Sequence, residues 1–136
     1  MSNARFVFYN PNPNQRYKKD GTPMKWHGTD CTVRSLAKAM NLSWLAAFKT
    51  LCSEAERQLM TYDDIKVLAK VYKTLKFTEG SVNKTGAKPT VNEFCREHKT
   101  GTYILSLCGH VVCVVDGKFY DTWDCGSCKV RKYWKK

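Results

Sequence analysis

The hydrophobic pattern of this chain changes period once, near residue 100, and that switch restricts it to a fold of helices followed by strands. Val33, Leu36, Ala37 and Met40 fall three and four apart behind the capping residues Thr29 and Asp30, which predicts a first helix through CTVRSLAKAM. Ser43 caps a second, carrying Trp44, Leu45, Phe48, Leu51, Cys52, Ala55 and Leu59 at helical spacing. A third follows Thr61, with Ile65, Leu68, Tyr72 and Leu75 on its inner face, and 79–88 reads as a polar loop. Thr90 and Glu93 form a T-x-x-E capping box that opens a short helix over VNEFCREH. Beyond it, 102–107 (TYILSL), 110–115 (HVVCVV), 118–123 (KFYDTW) and 129–134 (KVRKYW) read as strands. Asp116-Gly117 joins the second and third as a two-residue hairpin turn.

The expected fold class is therefore α+β, with N-terminal helices packed on a C-terminal antiparallel sheet. All 136 residues form one domain: a strand and loop over 1–30, a helical part over 31–98 and the sheet over 102–135. Within the first part, RFVFY (5–9) is β-prone, and 10–29 is a long loop rich in proline, glycine and polar groups. A hydrophobic content of 43% supplies enough apolar surface for a packed core without a metal or a disulfide.

Seven cysteines cannot all pair within one chain, and MSNARFVFYN has no signal-peptide apolar stretch, so the expectation is reduced thiols in the cytoplasm. The longest apolar run, 111–115, is far too short to cross a membrane. Lysine and arginine outnumber the acids 23 to 12, for a net charge of +11. The basic residues are scattered, with clusters only around 16–25 and 129–136, so nucleic-acid binding is expected to be weak and independent of base sequence.

One cysteine stands apart by position. Cys31 lies where the long loop becomes a helix, and the free N–H groups and positive dipole end there stabilise a thiolate. The same N–H groups can hold the oxyanion formed when a carbonyl is attacked. Asp30 reads as the helix cap. Of the three histidines, His98 ends a short polar helix and reads as a surface residue, and His27 sits in the loop. His110 begins a β-branched strand that would fix it rigidly, so it is the expected base. With the turn at Asp116-Gly117, Val115 faces Lys118 and Val112 faces Asp121. His110, Val112, Phe119, Asp121 and Trp123 then share one face, and Asp121 can orient the imidazole while Asp124 points away.

The segments GTDCTVRSL (28–36) and GHVVCVVDGKFYDTWD (109–124) resemble those of papain-like cysteine peptidases, particularly small bacterial and phage-type members. The resemblance covers about 100 residues from Cys31 onward and follows the family's order of Cys at a helix start, His on a strand and Asn or Asp on the next strand. It implies a papain-like fold and a thiol hydrolase that cleaves a peptide or isopeptide bond through Cys31, His110 and Asp121. It implies no cofactor and no metal, and a protein or peptide as partner. The family's oxyanion glutamine or asparagine has no counterpart between Arg16 and Asp30, so Gln15, Asn14 and Asn12 are the nearest candidates. Trp26, His27 and Trp123 are expected to line the site. Oligomeric state is not written in these residues.

Other chemistries fit parts of the pattern. The same triad serves acyl and amide transfer, because each passes through a thioester. A papain-like fold without activity would serve as a binding protein. Cys125-x-x-Cys128, with Cys108, His110 and Cys113 nearby, has metal-ligand spacing and would suit a basic, zinc-stapled nucleic-acid module. Against zinc, Cys113 has the opposite strand parity to Cys108 and His110, and a single CxxC is little support.

Overall fold

A computed structural model describes residues 4–14, 30–82 and 87–136. In chain order its elements are β1 (Phe6–Phe8), α1 (Cys31–Met40), α2 (Trp44–Gln58), α3 (Ile65–Thr74), β2 (Thr78–Ser81), α4 (Val91–Glu97), β3 (Thr102–Leu107), β4 (His110–Val115), β5 (Lys118–Asp121) and β6 (Lys132–Lys135). The chain is mixed α and β, with six strands in one sheet ordered β1-β5-β4-β3-β6-β2.

The β4–β5 hairpin sets the register that matters most. Asp116 and Gly117 both have positive φ, 49° and 77°, as a two-residue turn with the twist of the flanking strands requires. A Cβ on Gly117 would also come within 3.2 Å of the Cys95 carbonyl oxygen, so the turn is seated against the end of α4. Val115 pairs with Lys118 and Cys113 with Tyr120. Continuing that register puts Asp121 across from Val112 and diagonal to His110.

The sheet is not purely antiparallel and not confined to the C-terminal part. β1 runs parallel to β5 along one edge, with Phe8 opposite Asp121. β2, which runs from Thr78 into the stretch expected to be a loop, closes the other edge against β6. Two strand ends also differ from expectation. β5 stops at Asp121, before the bends at Thr122 and Trp123, and β6 begins at Lys132, because Lys129 makes an isolated bridge to Thr90 instead.

Helices cover both faces of the sheet. On one, Val33 and Leu36 of α1, Leu51 of α2 and Val67, Val71 and Tyr72 of α3 pack with Ile104, Val111 and Trp134. On the other, Val91, Phe94 and Cys95 of α4 pack with Leu105, Val112, Val114 and Phe119. The inner face of α3 is Val67, Leu68, Val71 and Tyr72, while Ile65, expected inside, is 48% exposed at the first helical position. Asp64 caps α3, and Ser43 caps α2 as its position requires. Thr90 and Glu93 make both hydrogen bonds of the capping box, at 3.1 and 2.9 Å. His98 is only half-buried, but it belongs to an aromatic cluster rather than the open surface: its ring stacks on Phe94 with centroids 3.8 Å apart. Among the described residues, no helix is long and apolar enough to cross a membrane.

Candidate active site

Cys31 is the first residue of α1, and α1 lies along β4, so the helix start meets the start of that strand at His110 and Val111. The residue before it departs from expectation. Asp30 has φ −98° and ψ 20° and makes no side-chain capping hydrogen bond. Its carboxylate is turned away and held by the Arg34 guanidinium, by Trp44 Nε1–H at 3.0 Å and by the Asn12 amide at 3.2 Å. The Asp30 side chain thus makes no capping bond to the first-turn N–H groups of α1, which leaves that end of the helix electropositive toward Cys31.

His110 Nε2 lies 2.5 Å from Asp121 Oδ2, which leaves Nδ1 as the ring nitrogen for Cys31. The thiol and the imidazole are in hydrogen-bond contact, and the Val111 backbone N–H also points at the sulfur. Asp121 is 1% exposed and fully engaged. Its Oδ1 accepts from Arg34 at 2.9 Å and from the Thr122 N–H at 2.7 Å, while Oδ2 accepts from His110 and, at 3.4 Å, from the Cys125 thiol. Its backbone is fixed as well, because the Tyr9 N–H donates to the Asp121 carbonyl at 2.8 Å from the neighbouring edge strand. Asp124, by contrast, is exposed and accepts from the Gly126 N–H.

The electrostatics follow from this geometry. Burial by itself raises the Cys31 thiol, but the His110 hydrogen bond and charge, the Val111 N–H and the Arg34 charge outweigh it and bring the pKa below the ordinary thiol value. Burial lowers His110, yet its contacts with Asp121 and Cys31 prevail and hold it at about 9. For Asp121, burial again opposes the charged form, and His110, Thr122 and Arg34 keep the carboxyl below its usual value. The other cysteines with resolved shifts move the opposite way: burial pushes Cys95 and Cys113 up to about 12 and raises Cys52 and Cys125. The arrangement favours a thiolate on Cys31 beside an imidazolium on His110.

Cys31 and His110 open on a cleft of about 510 Å³ walled by Ile65, Leu68, Leu107, Val111 and Trp123, with Asp63 as an acid on its lining. The Trp123 ring sits 5.0 Å from the His110 ring at 43°, screening the imidazole from solvent. Thr32 also lines the cleft, and its buried hydroxyl has no hydrogen-bond partner among the described residues.

The oxyanion candidates fare differently. Asn12 reaches the residue preceding Cys31, but its amide is committed to Asp30. Asn14 is exposed, and its backbone N–H donates to Asn12 Oδ1, which turns this segment locally instead of folding it across the cleft. Gln15, Trp26 and His27 lie outside the described residues. The zinc-spacing residues do not gather: Cys108 is exposed, Cys128 is half-buried and Cys113 is buried in the sheet. A different set does converge, with ligand atoms of His110, Asp121 and Cys125 within 4.8 Å of one another.

One residue of this network was not picked out from the sequence. Arg34 is a cation on the buried stripe of α1 between Val33 and Leu36, and it is 4% exposed, which is a signal that it must meet an acid. Cys125 was picked out only for its metal-ligand spacing with Cys128, and its hydrogen bond to Asp121 had no signal in the sequence.

Comparison with known proteins found no matching family, no matching curated protein and no matching solved structure.

Proposed function

We propose that this protein is a thiol hydrolase acting on peptide or isopeptide bonds, with a papain-like arrangement and a cytoplasmic, reducing place of work. The observation that carries the reading is the unbroken chain of contacts from Cys31 through His110 to Asp121 at the start of α1. The Cys31 thiolate attacks the carbonyl carbon, and the electron pair of the C=O bond moves to oxygen. The N–H groups at the start of α1 stabilise that oxyanion. His110 gives its Nδ1 proton to the leaving amine as the C–N bond breaks, leaving a thioester on Cys31. Water then attacks the thioester with His110 as base, which releases the acid and regenerates the thiolate–imidazolium pair. Asp121 keeps Nε2–H bonded, so that Nδ1 always faces the sulfur.

The test uses no substrate. Treating the protein at neutral pH with a limiting amount of iodoacetamide and mapping the adducts by mass spectrometry should show Cys31 labelled first. Cys108 is exposed and Cys31 only half-exposed, so reactivity governed by access alone would label Cys108 first. Labelling led by Cys108, unchanged in His110→Ala, would sink the hydrolase reading.

A second reading rests on the convergence of His110, Asp121 and Cys125, which could hold a metal ion. The protonation states speak against it, because the Cys125 thiol is pushed up by burial and by the Asp121 charge and serves as a donor to that carboxylate. Elemental analysis of protein purified without added metal should find well under one zinc per chain. Stoichiometric zinc, lost together with the fold on chelation, would favour the metal reading.

A further inference from the structure

The Cys31 cleft does not end at its apolar wall. Ile65 and Ser106 of that cleft also line an adjoining hollow of about 460 Å³ whose other walls are Lys88, Arg131 and Lys132. Leu107 of the cleft in turn lines a hollow of about 470 Å³ bordered by Lys88, Lys129 and Arg131. The three depressions share residues in sequence, so they form one trough leading from the nucleophile past the β3 end onto the segment before β6.

Beyond the cleft, whose lining includes Asp63, the charged residues lining the two hollows are all basic. Lys132 pairs with Glu79 at 2.9 Å, and Glu93 lies close enough to Lys129 for that charge to help lower its carboxyl, after the Thr90 hydrogen bonds. Lys88 and Arg131 are exposed and have no ion pair among the described residues. Exposed like charges without partners repel one another, and an anionic ligand relieves that repulsion.

We infer that the trough binds an acidic stretch of the polypeptide whose scissile carbonyl lies at Cys31, with an apolar side chain against Ile65, Leu107 and Trp123 next to it. This names the substrate class of the site and rests on the hydrolase reading above. Peptide is favoured over nucleic acid because, among the described residues, no aromatic ring lines either basic hollow, and single-stranded nucleic acid is held largely by stacking on such rings. The apolar wall beside the nucleophile suits a side chain and offers a phosphodiester backbone nothing.

The experiment measures binding, not turnover, on the full chain carrying Cys31→Ala. Two fluorescein-labelled peptides with one leucine-containing core are compared by anisotropy at low salt, one followed by a run of glutamates and the other by glutamines. The glutamate peptide should bind about tenfold more tightly, as a few exposed charge contacts together supply, and the difference should shrink as salt rises. Lys88→Glu with Arg131→Glu should abolish the preference. Because both side chains are exposed, the fold should persist, and circular dichroism checks it; Lys88→Gln with Arg131→Gln provides a milder pair that should weaken the preference. Equal affinity for the two peptides, a preference that survives charge reversal, or tighter binding of a single-stranded oligonucleotide through the same residues would each overturn the inference. An acidic preference in a protein whose Cys31 proves unreactive would uphold the trough and remove the hydrolase.

Discussion

Asp121→Ala is expected to slow acylation of Cys31 by an activated ester by up to about 10⁴-fold, the scale known for losing the carboxylate that fixes a catalytic imidazole. Asp124→Ala, in contrast, should change the rate little. The difference follows from register. Asp121 is buried with Oδ2 2.5 Å from His110 Nε2, and Asp124 is exposed and accepts from the Gly126 N–H. Asp121→Asn is the check on folding, because its amide oxygen can still accept from Nε2–H while its charge is gone. It should lie between the wild type and the alanine variant. An inactive Asp124→Ala with an active Asp121→Ala would mean that the functional partner of His110 lies on the other face of the hairpin.

The second large effect is on stability. Arg34 bridges Asp30 and Asp121, all three buried, and so ties α1 to the end of β5. Arg34→Met would leave two buried carboxylates without their shared cation, and breaking such a pair from one side costs about 3 kcal/mol or more. For a domain of this size the melting temperature should fall by about 10 °C. Lysine should not rescue it, because one ammonium on a flexible stem cannot present two parallel donors to two acids. Adding Asp30→Asn to Arg34→Met should recover part of the loss, since it removes one of the stranded charges, and a double-mutant cycle reads that coupling. An Arg34→Met protein as stable as the wild type would show that the bridge contributes nothing net to the fold.

How much of this was legible in the sequence depends on whether local chemistry or tertiary contact decided each feature. The α4 capping box and the Asp116-Gly117 turn are local, and both are in place. β2 was not legible, because TEGS has no apolar alternation and Thr78 is its one β-branched residue. It is a strand because Thr78 and Gly80 pair with Lys135 and Tyr133 of β6. Gly80 has no room for a side chain there: a Cβ would lie 2.3 Å from the Tyr133 ring, the close approach that a glycine inside a strand permits. Asp30 holds the N-cap position as expected, but its side chain does not cap, and only the fold reveals that Arg34, Trp44 and Asn12 compete for it. The juxtaposition of His110 and Asp121 could be derived from turn type and strand parity alone. The second donor to the oxyanion could not, since Asn12 and Asn14 are occupied or exposed and the remaining candidate, Gln15, lies outside the described residues.

The central claim is a thiolate on Cys31 held by an imidazolium on His110, and its sign with pH is fixed. The thiolate exists above the lowered Cys31 pKa, and the imidazolium exists below about 9, so the pair occupies the window between them. His110, with its folded pKa raised, adds stability that is complete below its ordinary value of 6.5 and lost as pH rises through about 9. Cys31, with its folded pKa lowered, adds stability that is present above the ordinary thiol value and lost as pH falls through its own. The most direct measurement is an ultraviolet absorbance titration of the thiolate, taken as the difference between the wild type and Cys31→Ser and repeated in His110→Ala. A thiolate signal already present at neutral pH, lost on acidification and absent at neutral pH in His110→Ala, is the expected result. A signal that appears only near the free-cysteine value of about 8.5, and identically in both backgrounds, would contradict the ion pair and the chemistry built on it.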